Sequence, residues 1–274
     1  MSLVEVIVLA VIQGLTEFLP VSSSGHLVVA NALLESLGYQ PTGDLLEVEI
    51  VLHVGTLLAI LVFFWRQVYQ LLGRDRRLIP LLVVGTIPAA VVGVPLKAFA
   101  AGVLENPLLA GCMFPLTAVI LIWASRHSEG KLSYERLSYG AAIKIGLLQA
   151  LALLPGVSRS GSTIAGGLAC GLDRRSAGVF AFLLAIPAIG GAGVLETIQL
   201  VRHHAVAATD TAAVVAGGTS PLALIVGAIV SMIVGLGALW WLLRWIQQGR
   251  LALFAWYLLP LGVAVVAWQL TAAF

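Results

Sequence analysis

The sequence predicts an all-α polytopic membrane protein of six transmembrane helices plus two re-entrant helical hairpins, arranged as inverted-topology repeats. Three observations predict it. Hydrophobic residues make up 60% of the chain and charged residues 10%, with a mean hydropathy of +1.03; a soluble domain carries about a quarter charged residues. Apolar runs near 45–65, 79–98, 107–124, 176–200, 221–243 and 251–270 can each cross a hydrocarbon core of ~30 Å at ~1.5 Å per residue. The first half of the chain, finally, recurs in the second.

The elements follow in order. Residues 3–19 are apolar, 20–25 form a Pro, Ser and Gly break, and 26–37 form a second stretch. That last piece would be a helix of ~18 Å, too short to cross. Two half-helices that meet inside the membrane and return to one side are the economical reading. A competing account makes 3–19 an ordinary span and 26–37 an interfacial helix. Broken backbone at membrane depth must be buried in protein or line a wet cavity, because lipid cannot satisfy its N–H and C=O groups. Three spans follow, and then the pattern restarts. Gln13 to His26 (QGLTEFLPVSSSGH) aligns without a gap on Gln149 to Ser162 (QALALLPGVSRSGS), a shift of about 136 residues, and a looser match carries Leu82–Gly85 and Gly93 onto Leu224–Gly227 and Gly235. A single membrane domain, 1–274, thus contains repeats 1–125 and 137–272. Since three crossings separate them, the second copy enters from the opposite face.

Charge placement agrees. Arg66, Arg74, Arg76 and Arg77 share one loop, Arg126, Lys131 and Arg136 another, Arg174 and Arg175 a third, and Arg244 and Arg250 flank a fourth turn. The loops near 38–44, 99–106 and 201–219 are nearly free of basic residues, so the first set is cytoplasmic by the positive-inside rule. The net charge of +2 gives no reason to expect a nucleic-acid partner. The first residues lack a basic n-region and a small-residue cleavage site, so no cleavable signal peptide is expected. Cys112 and Cys170 fall in apolar segments and are expected as buried thiols, not a disulfide.

The two breaks carry the chemistry. The first supplies Glu17, Ser22, Ser23, Ser24 and His26; the second supplies Ser158, Arg159, Ser160, Ser162 and Thr163. Ionisable residues inside a membrane are costly and mark functional sites. Inverted repeats of broken helices bring their tips together near the midplane. A guanidinium, a carboxylate, an imidazole and a cluster of hydroxyls there suit a phosphate ligand, since Arg forms a fork of hydrogen bonds to phosphate oxygens. Each residue also has a plainer account: Arg159 and Glu17 as a structural pair, His26 as a satisfied helix-start residue, the serines as caps and packing residues. His203 and His204 lie in a loop with no partner that suggests a metal site.

Residues Gln13 to His26 resemble the first motif of bacterial undecaprenyl-diphosphate phosphatases, the bacitracin-resistance family. Pro155 to Thr163 (PGVSRSGST) resembles the second motif, and Glu49 with His53 to Thr56 (HVGT) a third feature. The resemblance implies hydrolysis of a polyprenyl diphosphate to its monophosphate, which recycles the lipid carrier of cell-wall synthesis in the bacterial cytoplasmic (inner) membrane. It implies Glu17, Ser23, His26, Ser158, Arg159 and Thr163 as functional positions and a divalent cation, Mg²⁺ or Ca²⁺. Position 13 is Gln where some members have Glu, which leaves Glu17, alone or with Glu49, for the metal.

The expected reaction is phosphoryl transfer, with Glu17, Ser23, His26 and Arg159 as catalytic residues. Ser23 is the preferred nucleophile and His26 or Glu17 its base; a metal-activated water is the rival. Ser22, Ser24, Ser158, Ser160 and Thr163 are expected to bind substrate. The prenyl tail stays among membrane lipids while the head enters a cavity open to the external face. A flippase or transporter of polyprenyl phosphate is the alternative function, since this architecture also serves carriers. Membrane phosphatases that form a phosphohistidine share a Ser-Gly-His motif, but no His occurs here between Ser158 and Arg202. A homodimer is compatible with either reading.

Overall fold

The computed structural model describes residues 1–36, 38, 45–127, 130–207 and 219–272. The stretches 39–44 and 208–218, within the loops expected outside, lie beyond the described residues, as do the side chains of His203 and His204. Six helices are long and apolar enough to cross a membrane: α3 (Leu45–Phe63), α5 (Leu78–Phe99), α7 (Pro107–Ser125), α10 (Arg174–Ala207), α11 (Pro221–Gln247) and α12 (Ala255–Ala272). Short pieces α4 (Trp65–Leu71) and α6 (Ala101–Leu104) sit in loops. A pair of shorter helices precedes each set of three: α1 (Leu3–Phe18) with α2 (Ser23–Ser36), and α8 (Tyr139–Leu151) with α9 (Arg159–Ala169). The longest of these four has 16 residues, ~24 Å, so none spans ~30 Å unaided.

The packing is exchanged between the halves. Helix α1 lies on α11, and its repeat counterpart α8 lies on α5; α7 and α12, also counterparts, lie on each other. The two short pairs are not equally enclosed. Ser160 through Leu168 of α9 are all buried, whereas α2 buries only Gly25 and Leu27. The main apolar core runs through Phe18, Phe114, Leu121, Ile164, Phe180, Phe182 and Leu239, and it places the second break inside protein, where irregular backbone is tolerated. Cys112 departs from expectation. It is exposed on the outer side of α7, and Cys170 is half-buried; both thiols are free. An apolar span needs no protein cover on the face it turns to lipid, so a hydrophobic neighbourhood in sequence did not mean burial.

Each break has a local cause. Pro20 forces Leu19 out of the helical region, to φ −60° and ψ 144°, and α1 stops there. The second helix starts sooner than the sequence pattern placed it, at Ser23, because Ser22 caps its first turn. In the second pair, Ser158 caps α9 by accepting from the Gly161 N–H at 3.1 Å.

The tips touch at two glycines. A Cβ on Gly25 would lie 2.6 Å from the Gly156 nitrogen, and one on Gly156 would lie 2.3 Å from the Ala110 carbonyl oxygen. Gly156 also has φ +91°. Gly156→Ala is therefore expected to cost about 1–2 kcal/mol for the left-handed backbone and about 1–3 kcal/mol for overpacking. Thermal unfolding in detergent should show a clear drop. Gly237→Ala on α11, which meets open space, should leave the midpoint unchanged or slightly higher.

Candidate active site

Ser22 is the pivot of the first break. Its φ of +72° is the one left-handed non-glycine conformation among the described residues, a strained geometry that concentrates at functional sites. What holds it is a set of bonds converging on this one residue. Its hydroxyl accepts from the Gly25 N–H at 3.3 Å and from the Gly156 N–H of the other half at 3.1 Å. Its carbonyl accepts from the His26 N–H at 3.2 Å and from His26 Nδ1 at 2.7 Å.

Glu17, one turn before the break, is the hub. Its carboxylate is almost wholly buried and is surrounded by donors. Ser23 Oγ donates to Oε2 at 2.5 Å, Gln13 Nε2 donates to the same oxygen at 3.2 Å, and Arg159 Nη2 donates to Oε1. His53 Nε2 stands 3.9 Å from Oε2. The cation comes from the second break, the acid and alcohol from the first. Copy two keeps the glutamine, Gln149, but has Leu153 where copy one has Glu17. Gln149 is accordingly buried with neither amide atom partnered among the described residues.

Thr117 of α7 fixes the second tip. Its hydroxyl donates to the Gly156 carbonyl at 2.7 Å and accepts from the Ser158 N–H at 3.0 Å. Ser160 Oγ donates to the Leu19 carbonyl at 3.3 Å and lies 3.1 Å from Ser158 Oγ, so both breaks share one polar seam. Beside it opens a small cavity lined by Thr16, Glu17, Ser22, Ser23, Ser24, Ala152, Val157, Ser158 and Arg159.

The structure thus brings together Glu17, Ser22, Ser23, Ser24, Ser158 and Arg159. It places four other expected residues differently. Ser160 and Thr163 are buried and do not line the cavity; Thr163 Oγ1 donates to the Arg159 carbonyl at 2.9 Å, and both hydroxyls serve backbone. His26 has both ring nitrogens engaged elsewhere, Nδ1 by the Ser22 carbonyl and Nε2 by Tyr257 Oη at 2.7 Å. Of the two candidate bases, Glu17 is the one bonded to Ser23. Glu49 is not the residue that reaches Glu17; His53, one turn on, is, and Glu49 offers His53 Nδ1 its backbone carbonyl at 2.8 Å.

Gln13, Thr16, Thr117 and Tyr257 had no assigned role from sequence. Gln13 carried a signal, because it heads the repeat one turn before Glu17. Thr117 and Tyr257 lie inside apolar spans far along the chain and carried none.

The same geometry tests the divalent cation. Among the described residues no group of three or more His, Cys, Asp or Glu could hold a metal ion. Both Glu17 oxygens already accept from protein donors. With one carboxylate, already bonded at both oxygens, the described residues form no ready-made protein cage for a resident cation, a role that magnesium sites often share with substrate phosphates.

Comparisons with known proteins point to one family. The family model for bacitracin resistance protein BacA matches residues 6–264. An undecaprenyl-diphosphatase of Rhodopirellula baltica is 47% identical over 265 residues, covering 97% of both chains. Proteins of the same name from Desulfosudis oleivorans and Methanosphaera stadtmanae are 40% and 35% identical, covering 97–98% of each chain. A match that runs through both breaks and nearly end to end leaves one conclusion: this chain belongs to the bacitracin resistance protein BacA family.

Proposed function

We propose that the protein is a multi-pass phosphatase of the bacterial cytoplasmic membrane that hydrolyses undecaprenyl diphosphate, or a closely related polyprenyl diphosphate, to the monophosphate and inorganic phosphate. The observation that carries this reading is the 2.5 Å bond from Ser23 Oγ to a Glu17 carboxylate that also holds Arg159. An alcohol on a carboxylate, with a guanidinium beside both, is the donor set for nucleophilic attack on phosphorus. The names of the relatives fit it.

In this reading Ser23 Oγ attacks the terminal phosphorus as its proton passes to Glu17. The bond from that phosphorus to the bridging oxygen breaks, and the polyprenyl monophosphate leaves with the electron pair. Glu17 returns that first proton to the leaving oxygen, then takes a proton from the water that attacks the phosphoserine; the bond from phosphorus to Ser23 Oγ breaks, Glu17 hands this proton to Ser23 Oγ, and inorganic phosphate leaves. Arg159 uses one N–H on Glu17, and its guanidinium, with five in all, turns others toward phosphate oxygens. As it turns, Glu17 loses its neutralising partner and becomes a stronger base at the moment it is needed. Any Mg²⁺ or Ca²⁺ belongs here to the substrate's phosphates and not to a protein cage.

The two short helix pairs are re-entrant and the halves inverted in this reading, which the exchanged packing of α1 on α11 and α8 on α5 supports. The charge distribution of the loops supports a cavity that opens on the external face, where spent carrier is formed. The small cavity takes a phosphate head, while the prenyl tail runs among lipids. A carrier needs ligand selectivity but no nucleophile on a base, so the Ser23–Glu17 bond favours the enzyme over a flippase.

The test is inorganic phosphate release by the purified protein in detergent, where transport has no meaning. Release from a polyprenyl diphosphate and none from the corresponding monophosphate is expected. No release from the diphosphate would remove the phosphatase reading.

A further inference from the structure

Tyr257 sits early in α12, within the apolar span Leu251–Thr271, and is 48% exposed. A phenol hydroxyl in such surroundings is costly unless bonded. Here it turns inward to His26 Nε2 at 2.7 Å. The two rings are nearly parallel, at 12°, with centroids 5.7 Å apart, which suits a bond along the Nε2 lone pair. Phe114 closes another side of the imidazole at 5.2 Å, edge to face.

The partners fix the ring's protonation pattern. The Ser22 carbonyl beside Nδ1 can only accept, so Nδ1 carries the hydrogen. The neutral ring then has its lone pair on Nε2, and Tyr257 must be the donor to it. Neither nitrogen is left for the proton of Ser23. What the pair does hold is the Ser22 carbonyl, which belongs to the left-handed residue just before the nucleophile.

We propose that Tyr257 is a positioning residue for the reaction: through His26 it ties the Ser22–Ser23 peptide to α12 and thereby sets Ser23 Oγ on Glu17. The proposal rests on the phosphatase reading for its kinetic consequence and on the hydrogen-bond chain alone for its structural one. A displacement of about 1 Å at a reacting atom can cost about 10²-fold in rate, so a distant tyrosine can matter to chemistry it never touches.

The experiment uses the full chain in detergent and measures phosphate release from a polyprenyl diphosphate. Tyr257→Phe is expected to lower kcat about tenfold with KM within about twofold, and His26→Ala to lower kcat about 10²-fold. Tyr257→Phe should cost nothing further on the His26→Ala background, because the two act through one bond. His26→Gln, which keeps a donor and an acceptor but cannot serve as a base, should retain activity within about tenfold. An unchanged kcat in Tyr257→Phe, multiplying effects in the double variant, or a His26→Gln protein as inactive as His26→Ala would each overturn the proposal. Nitrogen-15 spectra of His26 give a readout without turnover: Nδ1 protonated and Nε2 accepting a bond that disappears in Tyr257→Phe. The opposite tautomer also refutes it. Phosphate release by the unsubstituted protein tests the phosphatase reading separately, so failure of that reading is told apart from failure of this one.

Discussion

Arg159→Ala is expected to lower phosphate release from a polyprenyl diphosphate by about 10³-fold or more, the scale seen when a preorganised donor to a developing charge is removed. Two roles are lost together. Arg159 would stabilise the transferred phosphoryl group, and in the resting site it neutralises a carboxylate that is almost fully buried. Removing one partner of a buried ion pair typically destabilises by about 3–5 kcal/mol, mostly because the other charge is stranded. Arg159 is partly open to the cavity, so the lower end of that range applies. The roles separate in a paired variant. Glu17→Gln with Arg159→Gln strands no charge and should regain much of the thermal stability lost by Arg159→Ala, while activity stays absent. Arg159→Lys keeps the charge but not the planar fork, and should recover stability more than rate. Near-normal turnover in Arg159→Ala with only a lowered unfolding midpoint would reduce the pair to a tie between the halves.

Why this pair could be foreseen and other contacts could not is a matter of what leaves a local trace. A charged residue in an apolar stretch is conspicuous, and Glu17 and Arg159 each stand within one turn of a Ser and Gly break. The repeat then aligns those breaks, and the structure joins them at the Glu17–Arg159 contact. Six spans were equally legible, since each rests only on the length of an apolar run. Hydroxyls were not. Ser158, Ser160 and Thr163 read alike in the motif, yet Ser158 lines the cavity whereas Ser160 and Thr163 donate to carbonyls at the break. A hydroxyl can face a ligand or a freed carbonyl, and only three-dimensional placement decides which. Glu49 and His53 are told apart in a related way. One helical turn separates them, so the two share a face of α3, and depth along that face picks His53 for Glu17.

Long-range partners left no mark at all. Tyr257 meets His26 across 231 residues, and Thr117 grips the second tip from a span whose sequence looks uniformly apolar. The start of α2 was misplaced by three residues because Ser22 supplies a cap from the left-handed region, a conformation seldom expected of serine. The sharpest consequence concerns the proton. A motif that sets His26 three residues after Ser23 invites a serine–histidine pair, but on a helix that spacing turns the imidazole back toward the Ser22 carbonyl, and the Ser23 hydroxyl bonds the acid one turn before the break instead.

Ser23→Ala should therefore be the most damaging single change at the site, lowering phosphate release by about 10⁴-fold or more, as loss of a nucleophile does elsewhere; that factor is about 5.5 kcal/mol of barrier. The fold should survive it. Ser23 is only half-buried, its hydroxyl contacts Glu17 alone among the bonds described, and the backbone turn is held by Ser22 and His26. The unfolding midpoint should stay near that of the unsubstituted protein, which separates a chemical defect from a structural one. The decisive measurement is covalent. Substrate labelled in the terminal phosphate, quenched with acid during turnover, should leave label on the peptide containing Ser23, because a phosphoserine survives acid. If Ser23→Ala instead turned over within about tenfold of normal and no label stayed on the protein, water would be the attacking group. Glu17 would then be its base, and Ser23 a hydroxyl that only helps to hold it.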